Sequence, residues 1–462
     1  MFQPKMPSLE PVQTWTRDSW RQYEAEQQPA FDDKKQLAEV VEELNSKPPL
    51  VTPWEIDRLK GQIAQASIGN RFLLQGGDCA ELFSECRPDI IANRLKVLLQ
   101  MSLVLVYGLR MPVIRVGRFA GQYAKPRSSD TEENNGEIFP SYRGDIVNAP
   151  EFGRQARRPA PERMIKAYEY SAISLNYIRA LGEGGFADLN HPENWDLGFV
   201  EHDELRREYQ GIVDSILEAL KFMQAVSSNP IGDIDRVSFY TSHEALLLPY
   251  EEAFTRQSEH SSKAYNLSTH FPWIGKRTNQ IDGAHIEYIR GIQNPIGIKI
   301  GSGMTPETLI PLLDRVNANH EAGKISLITR FGAKHIEKGL RPLIKAVQTS
   351  GHTVLWTCDP MHGNTEVVGN DVKTRRYENI LSELEQAFDI HADCGSILGG
   401  VHLELTGENV TECIGGARGL KEADLSRAYQ SEVDPRLNGE QALELAFAIV
   451  RKQRAMRQEA SV

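Results

Sequence analysis

Cysteine is scarce in this chain, with five residues in 462: Cys79, Cys86, Cys358, Cys394 and Cys413. An odd, thin complement in a chain of this size excludes a disulfide framework and points to a reducing compartment, with the cytoplasm as the expected location. Long apolar runs are missing too. No stretch approaches the ~18 uninterrupted apolar residues of a membrane span, and MFQPKMPSLEPVQ at the start lacks the basic segment and apolar core of a secretory leader. No membrane partner is expected. Positive charge is in deficit: 52 Lys and Arg against 63 Asp and Glu leave a net charge of −11. A chain of that balance is a poor general binder of nucleic acid. Internal repeats and low-complexity segments are absent. An apolar share of 40% and a charged share of 25% are those of a globular protein.

Against this background stand eight short apolar runs: FLLQGG (72–77), PVIRVGR (112–118), VSFYTS (237–242), STHFPWIG (268–275), IGIKIG (296–301), ISLITRFG (325–332), TVLWTCD (353–359) and GVHLELTG (400–407). Runs rich in Val, Ile and Leu read as buried parallel strands, and eight of them with helices between predict an α/β fold, a (β/α)8 TIM barrel. TPETLIPLLDRVNANH (305–320) carries a Thr cap and a first-turn Pro, and GLRPLIKAVQTSG (339–351) ends on a Gly stop. Residues 1–70 precede the first strand and form an N-terminal extension, leaving 71–462 as the barrel. The connection from Arg118 to Val237 is far longer than one helix requires, and helices inserted at 183–230 account for the excess. A long insertion of that kind carries function or an interface.

Each run ends at or near a charged or metal-binding side chain: Cys79, Arg118, Glu244, Arg277, Lys299, Arg330, His362 and Glu404. In a barrel the strand ends build the active site. Cys79, His362, Glu404 and Asp434 make a mixed thiolate, imidazole and carboxylate set. It suits Mn, Fe, Co or Zn better than Ca or Mg. Taken singly, such a Cys is usually a small buried hydrophobe, such a His an exposed loop residue and an Asp before Pro a turn; their joint placement is what suggests a metal. Asp359 and His402 stand close enough to orient the ligands. The second set is cationic: Arg118, Lys125, Arg127, Arg277, Lys299 and Arg330, with Ser128 adding a hydroxyl to KPRS. A structural salt bridge is the plain alternative for each. Lys299, inside IGIKIG, is costly unless a partner meets it. Six cations in an acidic chain predict a local pocket for substrates carrying two phosphates and a carboxylate.

The motifs QGGDCAE, GRFAGQYAKPRS, SYRGD, HEALLLPYE, WIGKRTNQIDGAH, NPIGIKIG, DPMHGNT, GGVHLELTGENVTEC and DPRLN, in this order, resemble type II 3-deoxy-D-arabino-heptulosonate 7-phosphate (DAHP) synthase. The resemblance implies condensation of phosphoenolpyruvate with erythrose 4-phosphate to DAHP and phosphate, the first step of the shikimate pathway. It implies one divalent metal, Mn2+ or Co2+ first and Zn2+ or Fe2+ next, held by Cys79, His362, Glu404 and Asp434. Arg277, Lys299 and Arg330 would hold the phosphoenolpyruvate phosphate, Arg118 and Lys125 its carboxylate, and Arg127 and Ser128 the phosphate of erythrose 4-phosphate. Glu244 would stand near the attacking water or the sugar, with Lys125 and Asp359 as supporting groups. Lys276 departs from the family, which has an acidic residue there, and adds a charge beside the phosphate site. Phe331 replaces a frequent Met. A homodimer or homotetramer inhibited by Trp, Phe or Tyr is implied by the extension and the inserted helices. A docked chorismate mutase is the least secure implied partner, because the tail RKQRAMRQEASV runs past where some relatives end. The competing readings are a metal-dependent sugar-phosphate aldolase, an 8-phosphate synthase using arabinose 5-phosphate, a non-catalytic scaffold, and a secondary-metabolite role for the same chemistry.

Overall fold

The structure is a computed structural model that describes residues 14–184, 200–226, 238–258 and 262–459. Eight strands form one parallel sheet: β1 (Phe72–Gly77), β2 (Val113–Arg118), β3 (Phe239–Thr241), β4 (Trp273–Ile274), β5 (Ile296–Gly301), β6 (Ile325–Arg330), β7 (Leu355–Cys358) and β8 (Leu398–Glu404). Each pairs with its neighbours in sequence, and β1 also pairs with β8. The two outer strands, β3 and β4, then meet. Phe271 N donates to Thr241 O (3.2 Å), Trp273 N to His243 O (3.0 Å) and Ala245 N to Trp273 O (2.9 Å). These bonds curl the sheet into the barrel that the eight runs predict. β3 and β4 are shorter than their runs because pairing there uses alternate residues, and Pro272 has no N–H to give.

The helices are α1 (Lys34–Ser46), α2 (Pro53–Ser67), α3 (Pro88–Leu109), α4 (Arg163–Glu183), α5 (Asp203–Val226), α6 (Leu248–Phe254), α7 (Ala284–Gly291), α8 (Pro306–Val316), α9 (Ile336–Ser350), α10 (Tyr377–Asp393) and α11 (Gly439–Glu459). α8 starts at Thr305 with Pro306 in its first turn, and α9 ends at Gly351, whose φ of +78° only glycine adopts without strain. α3 is long and apolar enough to cross a membrane, but it joins β1 to β2 and is largely buried. α4 and α5 lie in the long connection between β2 and β3. Of the range 183–230, α5 is described, whereas 185–199 and 227–230 lie outside the described residues.

Within the N-terminal extension, α2 builds the barrel floor. Thr52 and Glu55 form a reciprocal capping box that starts α2, with Pro53 in its first turn. Leu59, Ile63 and Ala66 on its inner face are fully buried and pack with Leu73, Ile114, Val116, Tyr240, Phe271 and Leu355. Above this apolar layer lies a polar one. Gln75 Nε2 donates to Ser242 Oγ (3.0 Å), Gln75 Oε1 lies 2.8 Å from His402 Nδ1, and His402 Nε2 lies 3.0 Å from Arg118 Nη1. Burial holds His402 well below the usual histidine range, and the Lys299 and Arg118 charges add to it. His402 is therefore neutral, with Nδ1–H donating to Gln75 and Nε2 accepting from Arg118.

Candidate active site

The barrel mouth opens above this layer as a cavity of about 220 Å3. It is lined by Cys79, Arg118, Lys125, Arg127, Ser128, Glu244, Lys276, Arg277, Lys299, Arg330, His362, Glu404 and Asp434. All the residues expected to touch substrate or metal thus converge there. Asp359 sits immediately beneath, fully buried. Every strand contributes at its C-terminal end, because the tops of the strands are where a parallel barrel can present polar side chains.

Ligand-capable atoms of Cys79, Glu404 and Asp434 lie within 4.8 Å of one another. His362 Nε2 is 3.0 Å from Glu404 Oε1. The other ring nitrogen, Nδ1, is 2.7 Å from Asp359 Oδ2, and Asp359 Oδ1 also accepts from the backbone N–H of Met361 and His362. Asp359 thereby fixes the His362 ring with Nε2 turned to the cluster, the arrangement that suits a metal-binding histidine. Burial alone would raise Asp359, but the His362 and Lys299 charges outweigh it and hold the carboxyl well below its usual range. Glu404 behaves likewise: burial opposes ionisation, and His362, Arg375, Lys125 and Arg118 overcome it. Lys125 Nζ sits 2.5 Å from Cys79 Sγ and 2.6 Å from Asp434 Oδ2. Burial and the Glu404 charge push the Cys79 thiol up, against the pull of Lys125. A dense set of soft and hard donors, thiol, imidazole and carboxylate together, fits a divalent cation of intermediate softness.

The cationic set divides in two. Lys299 pairs with Asp359 (3.1 Å) and Arg118 with Glu404 (3.0 Å), so both are anchored as well as aimed at the cavity. Lys276, Arg277 and Arg330 have no carboxylate partner among the described residues. Arg330 is held by its Nη2, which donates to His362 O (2.8 Å). Burial lowers the Lys276 amine, and the Arg330 and Arg277 charges lower it further. Three crowded cations without a counter-ion make a site for an anion. Across the cavity, Arg127 and Ser128 stand on the loop after β2. Glu81 holds the start of that loop by accepting from the N–H groups of Ala120, Gly121 and Gln122. Glu244 reaches the cavity beside Gly275, where a Cβ would fall 2.1 Å from Glu244 Oε1; only glycine leaves that carboxylate its place.

Two residues escape sequence reasoning. Arg375 is fully buried, and its Nη1 reaches Glu404 Oε2 (2.7 Å); Lys373 Nζ lies 3.2 Å from Asp434 Oδ1 and lines the cavity. Both come from the hairpin Thr365–Val368/Val372–Arg375. Their segment, VKTRR, reads as a solvated charge run, and only the folded hairpin turns it onto the site.

A family model described as "Class-II DAHP synthetase family" matches residues 15–450. A "Phospho-2-dehydro-3-deoxyheptonate aldolase" from Neurospora crassa is 49% identical over 461 residues, covering 96% of this chain and 95% of its own length. One of the same description from Streptomyces coelicolor is 44% identical over 432 residues, covering 94% and 96%. Among solved structures, a phospho-2-dehydro-3-deoxyheptonate aldolase from Francisella tularensis aligns over 92% of this chain and 98% of its own, with 13% identity and a TM-score of 0.48.

Proposed function

Because the chain belongs to the class-II DAHP synthetase family, whose members are divalent-metal-dependent DAHP synthases, we propose that its barrel mouth condenses phosphoenolpyruvate with erythrose 4-phosphate to DAHP and inorganic phosphate. The observation that carries this reading is the meeting, in one cavity, of a Cys/His/Glu/Asp donor set with separate cation groups on either side. Cys79, His362, Glu404 and Asp434 would hold the metal, which when bound supplies a Lewis acid for the aldehyde oxygen. Mn2+ or Co2+ suits the donors best, with Zn2+ or Fe2+ next.

Lys276, Arg277, Lys299 and Arg330 bind the phosphoenolpyruvate phosphate, and Arg118 and Lys125 orient its carboxylate. Arg127 and Ser128 take the phosphate of the sugar. Held this way, C3 of phosphoenolpyruvate faces the aldehyde carbon, and most of the rate gain comes from positioning and electrostatics. The new bond joins C3 to that carbon. Lys125 is held as an ammonium because the Asp434, Cys79 and Glu404 charges outweigh its burial, so it can stabilise the negative charge that develops on the aldehyde oxygen. Water attacks C2 and Glu244 receives one of its protons, which ends on the former aldehyde oxygen; the C2–O bond then breaks as the new C2 hydroxyl becomes the carbonyl and gives its proton to the departing phosphate. Lys299 pairs with Asp359 and forms no Schiff base in this scheme. The extension at 1–70 and the inserted helices at 183–230 serve subunit contacts and aromatic amino acid binding, in a homodimer or homotetramer inhibited by Trp, Phe or Tyr.

The test is phosphate release from phosphoenolpyruvate, with and without erythrose 4-phosphate, in chelator and then with Mn2+ or Co2+. Release that needs both aldehyde and metal is expected. Release with arabinose 5-phosphate instead would move the protein to the 8-phosphate chemistry, and none at all from folded protein would leave the scaffold reading. Rates unchanged by saturating Trp, Phe and Tyr would remove the regulatory part.

A further inference from the structure

The cavity at the barrel mouth has a larger neighbour of about 1130 Å3, and Arg127 and Lys373 line both. In that outer chamber Arg127 is not free. Its Nη2 reaches Glu132 Oε1 (2.5 Å), and the second carboxylate oxygen, Oε2, accepts from Arg157 Nη1 (2.7 Å). Arg157 is itself a built group: it is buried, its Nε donates to Glu151 O (3.0 Å) and its Nη2 to Pro150 O (2.9 Å). Its guanidinium also lies 5.7 Å from the Tyr142 and Phe152 rings. Nη1 is thus aimed at one partner, the Glu132 carboxylate. Glu132 rides on the short two-stranded hairpin Thr131–Asn134/Glu137–Pro140, most of whose residues are exposed.

We infer that Arg127 and Arg157 together form a two-guanidinium cradle for the sugar phosphate, and that Glu132 is its built-in occupant, displaced when that phosphate binds. This rests on the proposed reading of Arg127, and it adds Arg157 as a binding residue and Glu132 as an internal competitor. The chemistry follows from the contacts. A carboxylate that gives one oxygen to each of two arginines stands where a phosphate would stand. A phosphate dianion brings a second charge and a third oxygen to the same donors. The Glu132 pairs are part-exposed, at 27% for its side chain, so they are weak enough to exchange.

The test is steady-state kinetics on the full chain with each substrate varied in turn. Glu132→Gln should lower KM for erythrose 4-phosphate by about threefold to fivefold, since a part-exposed ion pair contributes up to ~1 kcal/mol, with KM for phosphoenolpyruvate within twofold. Arg157→Gln should raise KM for erythrose 4-phosphate at least about tenfold, as loss of a charge-assisted hydrogen bond does, and Arg157→Lys should restore part of it. Glu132→Gln leaving that KM unchanged, or raising it, overturns the inference. So does an Arg157→Gln effect that falls equally on both substrates. If Arg157→Gln does not fold, Glu132→Gln decides alone. Should the parent not turn over, the synthase reading has failed separately. Calorimetric titration of inorganic phosphate into parent and Glu132→Gln then tests the cradle, and equal affinities would overturn it.

Discussion

At the scale of single residues, Glu404 shows how the site holds its charge. One fully buried carboxylate meets Arg118 at 3.0 Å, Arg375 at 2.7 Å and His362 at 3.0 Å. Removing a partner of such a group is costlier than removing the group with its partners, so single substitutions here should read out sharply. Cys79→Ser should weaken divalent-metal binding by more than the ~10–100-fold that loss of an outer partner causes, with activity falling in step and the urea midpoint unchanged. Calorimetric metal titration beside the activity assay checks this, and full activity in metal-stripped Cys79→Ser would contradict the ligand assignment. Asp359→Asn should cost ~10–100-fold in metal affinity by freeing the His362 ring; unaltered affinity would show that the ring is held by something else. The meeting of Cys79, His362, Glu404 and Asp434 in one cavity was legible because each lies at or just past a strand end or in the loop after β8. Arg375 and Lys373 were not, since nothing local distinguishes a charge run facing water from one folded over a carboxylate.

Among the elements, α2 has the most surprising position. Its apolar spacing announces a helix, and its capping box and Pro53 fix where it starts. Periodicity says only that one face is buried, not what it is buried against. The structure puts that face under the barrel as a plug, so α2 is part of the floor of the barrel. Ile63→Ala should therefore cost ~2–5 kcal/mol, the range for a large-to-small change in a closed core. Thr52→Ala, which removes an exposed cap, should cost ~1 kcal/mol. Urea denaturation of the two variants measures both. An Ile63→Ala cost no larger than the Thr52→Ala cost would mean that α2 packs loosely. The long connection between β2 and β3 was legible as surplus length, because a βαβ crossover needs one helix. The brevity of β3 and β4 was not, since their closure runs through alternate residues from Thr241 to Trp273.

Over the whole molecule, the charges of the site and the buried histidines respond to acid at different points. Asp359, Glu404 and Asp434 are all held well below their usual range, so their contribution to stability is full above the ordinary carboxylate range and is lost progressively only as pH falls below about 4. His285 and His391 behave otherwise. Burial depresses His285 to about 4 and His391 to about 3, from an ordinary value of 6.5. His285 Nε2 lies 3.0 Å from Leu246 O and His391 Nδ1 lies 3.0 Å from Ser396 Oγ, with no charged partner for either ring among those contacts. The unfolded chain binds protons at these two positions as pH falls below 6.5, while the folded chain does not until about 4 or 3. Stability is therefore full above pH 6.5 and should fall by up to ~1.4 kcal/mol per pH unit for each histidine through that window. Urea midpoints should be flat from about pH 7 to 8 and drop from about pH 6.5 to 5, before the site carboxylates titrate. His402 and His270, also lowered by burial, act in the same direction; His391→Leu removes one of these protonations and should flatten the acid limb relative to the parent. Parallel parent and variant curves would assign the acid loss to other groups, and a drop that began only below about pH 4 would assign it to the carboxylates.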